Sequence, residues 1–487
     1  MASLGRGSLF GAAAVVPLLL FLVAERRIAG ATGFPLDDSW IHLHFARNLA
    51  EGAGFAYNPG VPVAGSTAPL WTLLLGLAFA LAEPSILLVK ALGVAAAATA
   101  ALLTGLAALG WGAAPAAAAA AGLALLAAGP MVWGALSGME VPLAALLVAG
   151  ALAADSRGRQ VLAAALAALA PLARPEAIVF SLLLAVARPG RRRIVLFGVL
   201  IALALAPVVA FSLLTVGAPV PATAAAKVEG GVLGWLAGTR EPWRRFLVER
   251  PGGFLLEWAG WLWTTHPLLP VALPLALAWA WRRRGAALGV PALALVLHPV
   301  AMALLAPYRG PGFQEGRYSA HLLPLAFVVL AVALGPRVHP ARPVLLAAWF
   351  VLALVALVPA AHRYGWAVQN INAMQVHLGR WVDEHVPPRA RLALNDVGAI
   401  AYISRREVID LMGLVTPEIL PYRRRGEAGV IDYVRRRCPD YVIIFPAWFP
   451  RLAARRDLLE PVYRVRLERN VVAGAPEMVV YRLRCAV

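Results

Sequence analysis

Of 487 residues, 61% are hydrophobic and only 14% are charged, against about 25% charged in an average soluble domain. Mean hydropathy is +0.73, which excludes a cytosolic enzyme, a disordered tail and a small disulfide-stapled secreted module, and leaves a polytopic α-helical membrane protein. The net charge of +18 falls largely in short clusters between apolar runs, as in cytoplasmic loops. No basic face interleaved with aromatics is apparent, so membrane lipids rather than nucleic acid are the expected partner of that charge.

A run must hold about 17–25 residues to cross a ~30 Å hydrocarbon core. In chain order the candidates are 8–24, 86–109, 114–133, 139–154, 194–216, 266–281, 286–306, 319–335 and 343–361. The stretch 161–187 is interrupted by Arg174-Pro175-Glu176 and reads as two short helices, because a charged triplet at the centre of one span costs several kcal/mol. The total is about eleven crossings. The apolar run Ala68–Ala82 is too short to cross and reads as an interfacial or re-entrant helix. With it in the interface and the N-terminus inside, Arg157, Arg159, Arg188, Arg191–Arg193, Arg282–Arg284, Arg337 and Arg342 share one side, opposed only by Asp155. A start outside with 68–82 crossing satisfies those loops equally. A signal peptide is a third reading of Arg6 and the run 8–24, although Glu25-Arg26-Arg27 stands where small cleavage-site residues belong.

From residue 362 the composition changes: the tail holds 20 arginines and 13 acids and has no membrane-length run. Gln369–Glu384 has helical spacing, while Arg391–Leu394, Val408–Leu411, Tyr441–Phe445 and Met478–Leu483 read as strands, with a helix over Gly426–Arg437. Alternation of this kind predicts a small α/β domain over 362–487, outside the membrane under the favoured topology, following a transmembrane domain over 1–361 whose first outer loop is 25–85. Asn395-Asp396 at a strand end marks this tail as a domain that binds glycan or closes over a site. Both cysteines, Cys438 and Cys485, lie in it; one disulfide, if the tail is extracytoplasmic, and two unpaired apolar side chains are both open readings.

The residues that can carry chemistry cluster in the outer segments. Pro35-Leu36-Asp37-Asp38-Ser39-Trp40-Ile41-His42-Leu43-His44 places two adjacent acids just past the first membrane helix, where either can take a proton from an attacking hydroxyl. The competing role is capping of a Ser39–Leu49 helix by Asp38. Asp38 and His42 share a helical face, but with His44 they make only a weak metal set, for want of a third ligand of clear spacing. Tyr57 and Asn58 follow in a turn-rich loop, and Trp71 opens the interfacial helix. Glu140, Arg174 with Glu176, Lys227, and Arg317 with Tyr318 lie at other outer helix mouths; Lys227 is one of only two lysines, with Lys90. Their competing roles are a snorkelling lysine and an ion pair that closes a hairpin. Acids and cations beside an apolar bundle fit a substrate with a lipid tail and an anionic head.

The motif order Asp-Asp-x-x-Ile, Gly-x-Gly-Phe-x-Tyr-Asn, Thr-x-Pro-Leu-Trp, Gly-Met-Glu, Arg-Pro-Glu, Pro-x-Thr-x-x-x-Lys and Gly-Arg-Tyr resembles the GT-C superfamily of integral-membrane glycosyltransferases. In the tail, Gly398-Ala399-Ile400-Ala401-Tyr402 and Asp410-Leu411-Met412-Gly413-Leu414 look most like the branch with the mycobacterial terminal arabinofuranosyltransferases. The resemblance implies a multi-pass protein of the bacterial cytoplasmic membrane, its active site and C-terminal domain extracytoplasmic. It implies a polyprenyl-phosphate-sugar donor, a glycan, lipid or protein acceptor, and a catalytic aspartate at Asp37 or Asp38, Asp37 being favoured. Substrate contacts are then expected from Glu140, Arg174, Glu176, Lys227, Arg317, Tyr318, His42, Tyr57, Asn58 and Trp71. The cofactor is unassigned, with a divalent cation open and no metal ligands singled out. Ala222 and Ala68 depart from the pattern, where many relatives carry Asn and Ser or Asn, which bears on substrate choice more than on the reaction. A lipid-linked-sugar flippase is the first alternative; it needs polar groups near mid-bilayer and two related halves, whereas these spans are almost uncharged there. A non-catalytic envelope assembly or sensor protein is the second, and in it replacing either aspartate by Asn is silent.

Overall fold

The computed structural model describes residues 2–227, 230–236, 238–334 and 342–484; Arg337 and Cys485 lie outside them. The chain forms two compact units, one of residues 1–24, 89–206 and 228–362 and the other of 25–88, 207–227 and 363–487.

Among the described residues five helices are long and apolar enough to cross a membrane: Ile86–Gly110, Arg191–Val216, Ala286–Leu305, Phe313–Ala333 and Ala347–His385. A sixth is broken, Pro115–Leu126 and Gly129–Leu136 meeting at 55° about an extended Ala128 (φ −80°, ψ 119°). A proline restricts the residue before it, as at Arg174, which is extended (φ −148°, ψ 112°) between Gln160–Ala173 and the short helices from Pro175 to Val186. The interruption read from Arg174-Pro175-Glu176 is therefore real, and proline forces it.

Helices of the first unit approach closely through small residues. A Cβ on Gly122 would lie 2.6 Å from the Ala101 carbonyl oxygen, as in small-residue membrane packing. Asp155, 1% exposed, is the ion-pair partner of Arg193 at 2.8 Å and of Arg188 at 3.2 Å. Arg193 also donates to the Leu184 and Ala185 carbonyls, satisfying the end of the Ile178–Val186 helix.

The second unit is built on a five-stranded sheet of β1 (Arg391–Leu394), β2 (Glu407–Asp410), β3 (Tyr441–Ile444), β4 (Leu459–Arg466) and β5 (Glu477–Leu483), in the order β2-β1-β3-β5-β4. Parallel pairing holds β2, β1 and β3 together; β5 is antiparallel to β3 and to β4. Alternation along each strand sorts the core onto two faces. Ala393, Ile409, Val442 and Val479 pack with Val430, Val434 and Leu452 of the helical side. Leu392, Leu394, Val408 and Ile443 pack with Met374 and Leu378, and also with Ile41, Phe45, Tyr57 and Val63 of the first loop. The first loop thus supplies one wall of the C-terminal sheet's core.

The Pro69–Leu81 helix of this unit has 13 residues, about 20 Å at 1.5 Å per residue, too short to cross. Trp71, Thr72, Leu75 and Phe79 are buried while Leu73, Leu74, Leu77 and Leu81 are exposed, an apolar outward stripe suited to a membrane surface.

Candidate active site

The helix that carries the two acids runs Asp37–Ala50. Leu36 is extended and occupies the cap position, with no side-chain cap hydrogen bond. Asp38 therefore stands in the first turn, not at the cap of a helix beginning at Ser39, and both carboxylates face the positive end of the helix dipole. The Asp37 side chain instead caps a different helix. Its Oδ2 accepts the Gly398 N–H at 2.7 Å and its Oδ1 accepts the Ala399 N–H at 2.8 Å, at the start of Ala399–Ser404. Gly398 permits this approach, because a Cβ there would lie 2.1 Å from the Asp37 carbonyl oxygen and 2.7 Å from its Cγ.

Burial raises the Asp37 carboxyl to about 6; Asp38 adds to the rise and the two N–H groups oppose it. The Lys227 Nζ lies 3.9 Å from Asp38 Oδ2. Its short helix, Ala222–Ala226, is tied to the first loop by the Ala222 N–H donating to Ala64 O at 2.8 Å and by Thr223 Oγ1 donating to Gly65 O. Thr223 Oγ1 also lies 3.1 Å from Leu414 O. Asp396 joins the acids: Gln375 donates to it at 2.8 Å, and burial with Asp37 and Asp38 pushes it well above the usual carboxyl range. Segments far apart in sequence thus assemble an acid–lysine cluster within one unit. The sequence signal for Asp396 was its place at a strand end; Gly398 had none beyond its motif.

The remaining candidates of this unit lie in its packing. His42 Nδ1 is 3.0 Å from Thr72 Oγ1, and His44 Nε2 is 2.8 Å from Tyr57 O. Burial, with Arg47 adding to the effect, lowers His44 to about 3, so its ring is neutral. Tyr57 is 1% exposed, stacks on His44 at 4.2 Å and donates its hydroxyl to Val397 O. Asn58 bridges the main chain of Val408, donating to its carbonyl at 2.8 Å and accepting its N–H at 2.9 Å. Trp71 is 2% exposed. These side chains dock the first loop on the sheet and on the interfacial helix. Among the described residues no three His, Cys, Asp or Glu side chains are grouped to hold a metal ion.

In the first unit, Glu140, Arg174, Glu176, Arg317 and Tyr318 come together. Arg174 pairs with Glu140 and, at 3.1 Å, with Glu176, and lies 4.3 Å over the Tyr318 ring. Arg317 Nη2 donates to the Tyr318 hydroxyl at 3.0 Å. The turn before Arg317 has positive φ at Gln314, Glu315 and Gly316, and Trp261 Nε1 donates to Glu315 O at 3.1 Å to hold it. His298 and His321 are buried, their rings 5.4 Å apart. Sequence reading missed both, because a lone histidine in an apolar run looks like core.

The family model that matches, over residues 368–481, is described only as a domain of unknown function (DUF8728). The search of curated proteins finds no significant match. Among solved structures the chain is similar to ArnT from Cupriavidus metallidurans. In the apo state the identity is 17% and the TM-score 0.57, covering 99% of this chain and 98% of that one; bound to undecaprenyl phosphate the values are 16%, 0.56, 98% and 98%. It is also similar to the oligosaccharyltransferase AglB from Archaeoglobus fulgidus, in complex with an inhibitory peptide and a dolichol-phosphate, with 11% identity, TM-score 0.56 and coverage of 94% and 73%. Both are GT-C glycosyltransferases. The fold of this chain is accordingly a membrane GT-C fold, as the motif order implied.

Proposed function

We infer that the chain is an inverting glycosyltransferase that moves a sugar from a polyprenyl-phosphate donor to a hydroxyl of a cell-envelope glycan, lipid or protein. The observation that carries the reading is the Asp37 carboxylate, oriented by two backbone N–H groups in a cluster that also holds Asp38 and Lys227. A base works best with its pKa near the operating pH, and burial brings Asp37 to about 6. In the proposed step Asp37 takes the acceptor's proton as the acceptor oxygen bonds to the anomeric carbon. The bond from that carbon to the phosphate oxygen breaks, and the polyprenyl phosphate leaves with the electron pair. Attack opposite the phosphate inverts the anomeric centre. Lys227 offsets the growing phosphate charge, a role worth roughly 3 kcal/mol for a well-placed donor, and Asp38 holds Lys227.

The fold likeness to ArnT and AglB, whose structures hold undecaprenyl phosphate and dolichol-phosphate, supports a donor of that class. Within the first unit, Arg174 pairs with Glu140 and Glu176 and packs on Tyr318 beside Arg317, a cationic group that we propose contacts an anionic part of a substrate. A divalent cation finds no grouped ligand set among the described residues. Cys438 is disulfide-bonded, which fits an oxidising compartment and supports an extracytoplasmic C-terminal domain on a multi-pass protein of the bacterial cytoplasmic membrane. About eleven crossings remains the proposed count, above the five or six that length and composition give among the described residues.

The test feeds nanodisc-reconstituted protein a panel of radiolabelled polyprenyl-phosphate pentoses and hexoses. Asp37→Asn is expected to abolish transfer while insertion and donor binding persist. Wild-type turnover in that variant overturns the assignment.

A further inference from the structure

The second unit contains a cleft of about 540 Å³ that the proposed reaction does not use. It lies at the opposite end of the helix that begins with the two acids. Arg47 of that helix, Glu51 just beyond it and Asn58 of the following loop line it together with Arg405, Glu418 and Arg437. From Asp38 to Arg47 and Glu51 is 9 and 13 residues, about 14 and 20 Å at 1.5 Å per residue.

Three features define what such a cleft takes. Its volume lies in the range of about 300–1,000 Å³ usual for small-ligand sites. Its walls are fixed in advance, because Asn58 is locked to Val408 and Arg47 lies 4.4 Å over the Tyr402 ring while donating to Tyr402 O at 2.6 Å. Its charges are mixed: Arg405 pairs with Glu51 at 3.1 Å, and Glu418 and Arg437 stand on the same lining. A strong anion meets the glutamates there and a cation meets the arginines. A neutral polyhydroxyl chain is served by both, since each hydroxyl donates to a carboxylate and accepts from a guanidinium.

We propose that this cleft binds a neutral stretch of the acceptor glycan, several residues away from the hydroxyl that reacts. The proposal rests on the transferase reading, and it names the acceptor class for that reading: an extended, uncharged oligosaccharide gripped at a distance from the acids. Binding energy at a remote subsite then shows as a KM that falls as the acceptor lengthens.

The test has two arms on the full chain in nanodiscs. In the first, saturation-transfer NMR measures binding of neutral linear pentose and hexose hexasaccharides, the corresponding monosaccharides, and inorganic phosphate. A hexasaccharide is expected to bind wild type and to bind at least tenfold more weakly to Glu51→Gln/Arg405→Gln and to Glu418→Gln, all exposed positions where folding is unaffected. Binding by neither hexasaccharide, equal binding by the variants, or displacement of hexasaccharide by phosphate overturns the proposal. In the second, transfer is followed against acceptors of one to six residues. The same variants are expected to lose the dependence of KM on length and to keep wild-type kcat on the shortest acceptor; retained length dependence overturns the proposal. The binding arm needs no turnover, so loss of the catalytic reading through an active Asp37→Asn is distinguishable from loss of the cleft.

Discussion

Gly398→Ala is the sharpest perturbation of the proposed site, because it leaves every charged group in place. The added Cβ would lie 2.1 Å from the Asp37 carbonyl oxygen and 2.7 Å from Asp37 Cγ. The nearer atom is backbone and cannot rotate away, so an ordinary contact of about 3.4 Å requires the two segments to part by over ~1 Å. Two N–H groups then lose the carboxylate that they share. A misplacement of about 1 Å costs on the order of 10²-fold in rate, and overpacking costs about 1–3 kcal/mol. We expect kcat/KM to fall about 100-fold in the labelled-donor assay, with donor binding retained, and the thermal midpoint to drop by several degrees. Gly252→Ala, where a Cβ meets nothing within 4 Å, is the control and should be silent in rate. If Gly398→Ala keeps wild-type turnover, the clamp on Asp37 has no part in orienting a base.

Three further outcomes follow from the same geometry. Asp155→Ala strands Arg193, 3% exposed, without its carboxylate; removing one partner of a buried pair costs about 3–5 kcal/mol, read as a lower thermal midpoint and poorer yield in detergent, and an unchanged midpoint refutes it. Lys227→Met is expected to cut kcat about 100-fold with little change in the midpoint, Lys227→Arg recovering part of the rate; an unaffected kcat removes Lys227 from the phosphate. Because burial raises Asp37 to about 6, kcat/KM is expected to fall about tenfold per pH unit below that value as the base is protonated. Stability has the opposite sign: between the ordinary value near 3.8 and about 6 the folded chain holds a proton that the unfolded chain releases, so this group's contribution is lost as pH rises through that window. Wild-type melting from pH 4 to 7 should carry that slope and Asp37→Asn a shallower one, Asp396 and Asp410 being raised by burial as well; identical slopes refute the shift.

How far the sequence could be read depended on whether the determining interactions were local. The interruption at Arg174 is dictated by Pro175, its own neighbour, and the strand at Arg391–Leu394 by an apolar run with a clear boundary. The strand Leu459–Arg466 went unread for an equally local reason: Pro461 and alternating charges disguise it. It is tolerated because β4 is an edge strand, its pairing register slipping between Pro461 and Tyr463. Nothing local, by contrast, tells that Asp37 caps a helix that begins 362 residues later. From sequence, Asp38 looked like a cap because Asp at a helix start usually is one. The structure gives the capping to Asp37 and leaves Asp38 to Lys227.

Tyr57 and Asn58 show why a conspicuous loop motif was ambiguous. An aromatic and an amide in a turn-rich outer loop suit a sugar site, but the same two side chains are what a loop needs to join a sheet: one hydroxyl for the Val397 carbonyl, one amide for both polar groups of Val408. Ile41 and Phe45, on the helix that carries the acids, pack on the sheet face formed by Leu392 and Leu394. The position of the two carboxylates is therefore a consequence of core packing in the second unit. A truncation at 366 would remove those strands, leaving Ile41 and Phe45 uncovered and Asp37 without its N–H partners. Loss of transfer in such a truncation would report the collapse of the acid cluster, whatever else the C-terminal domain binds.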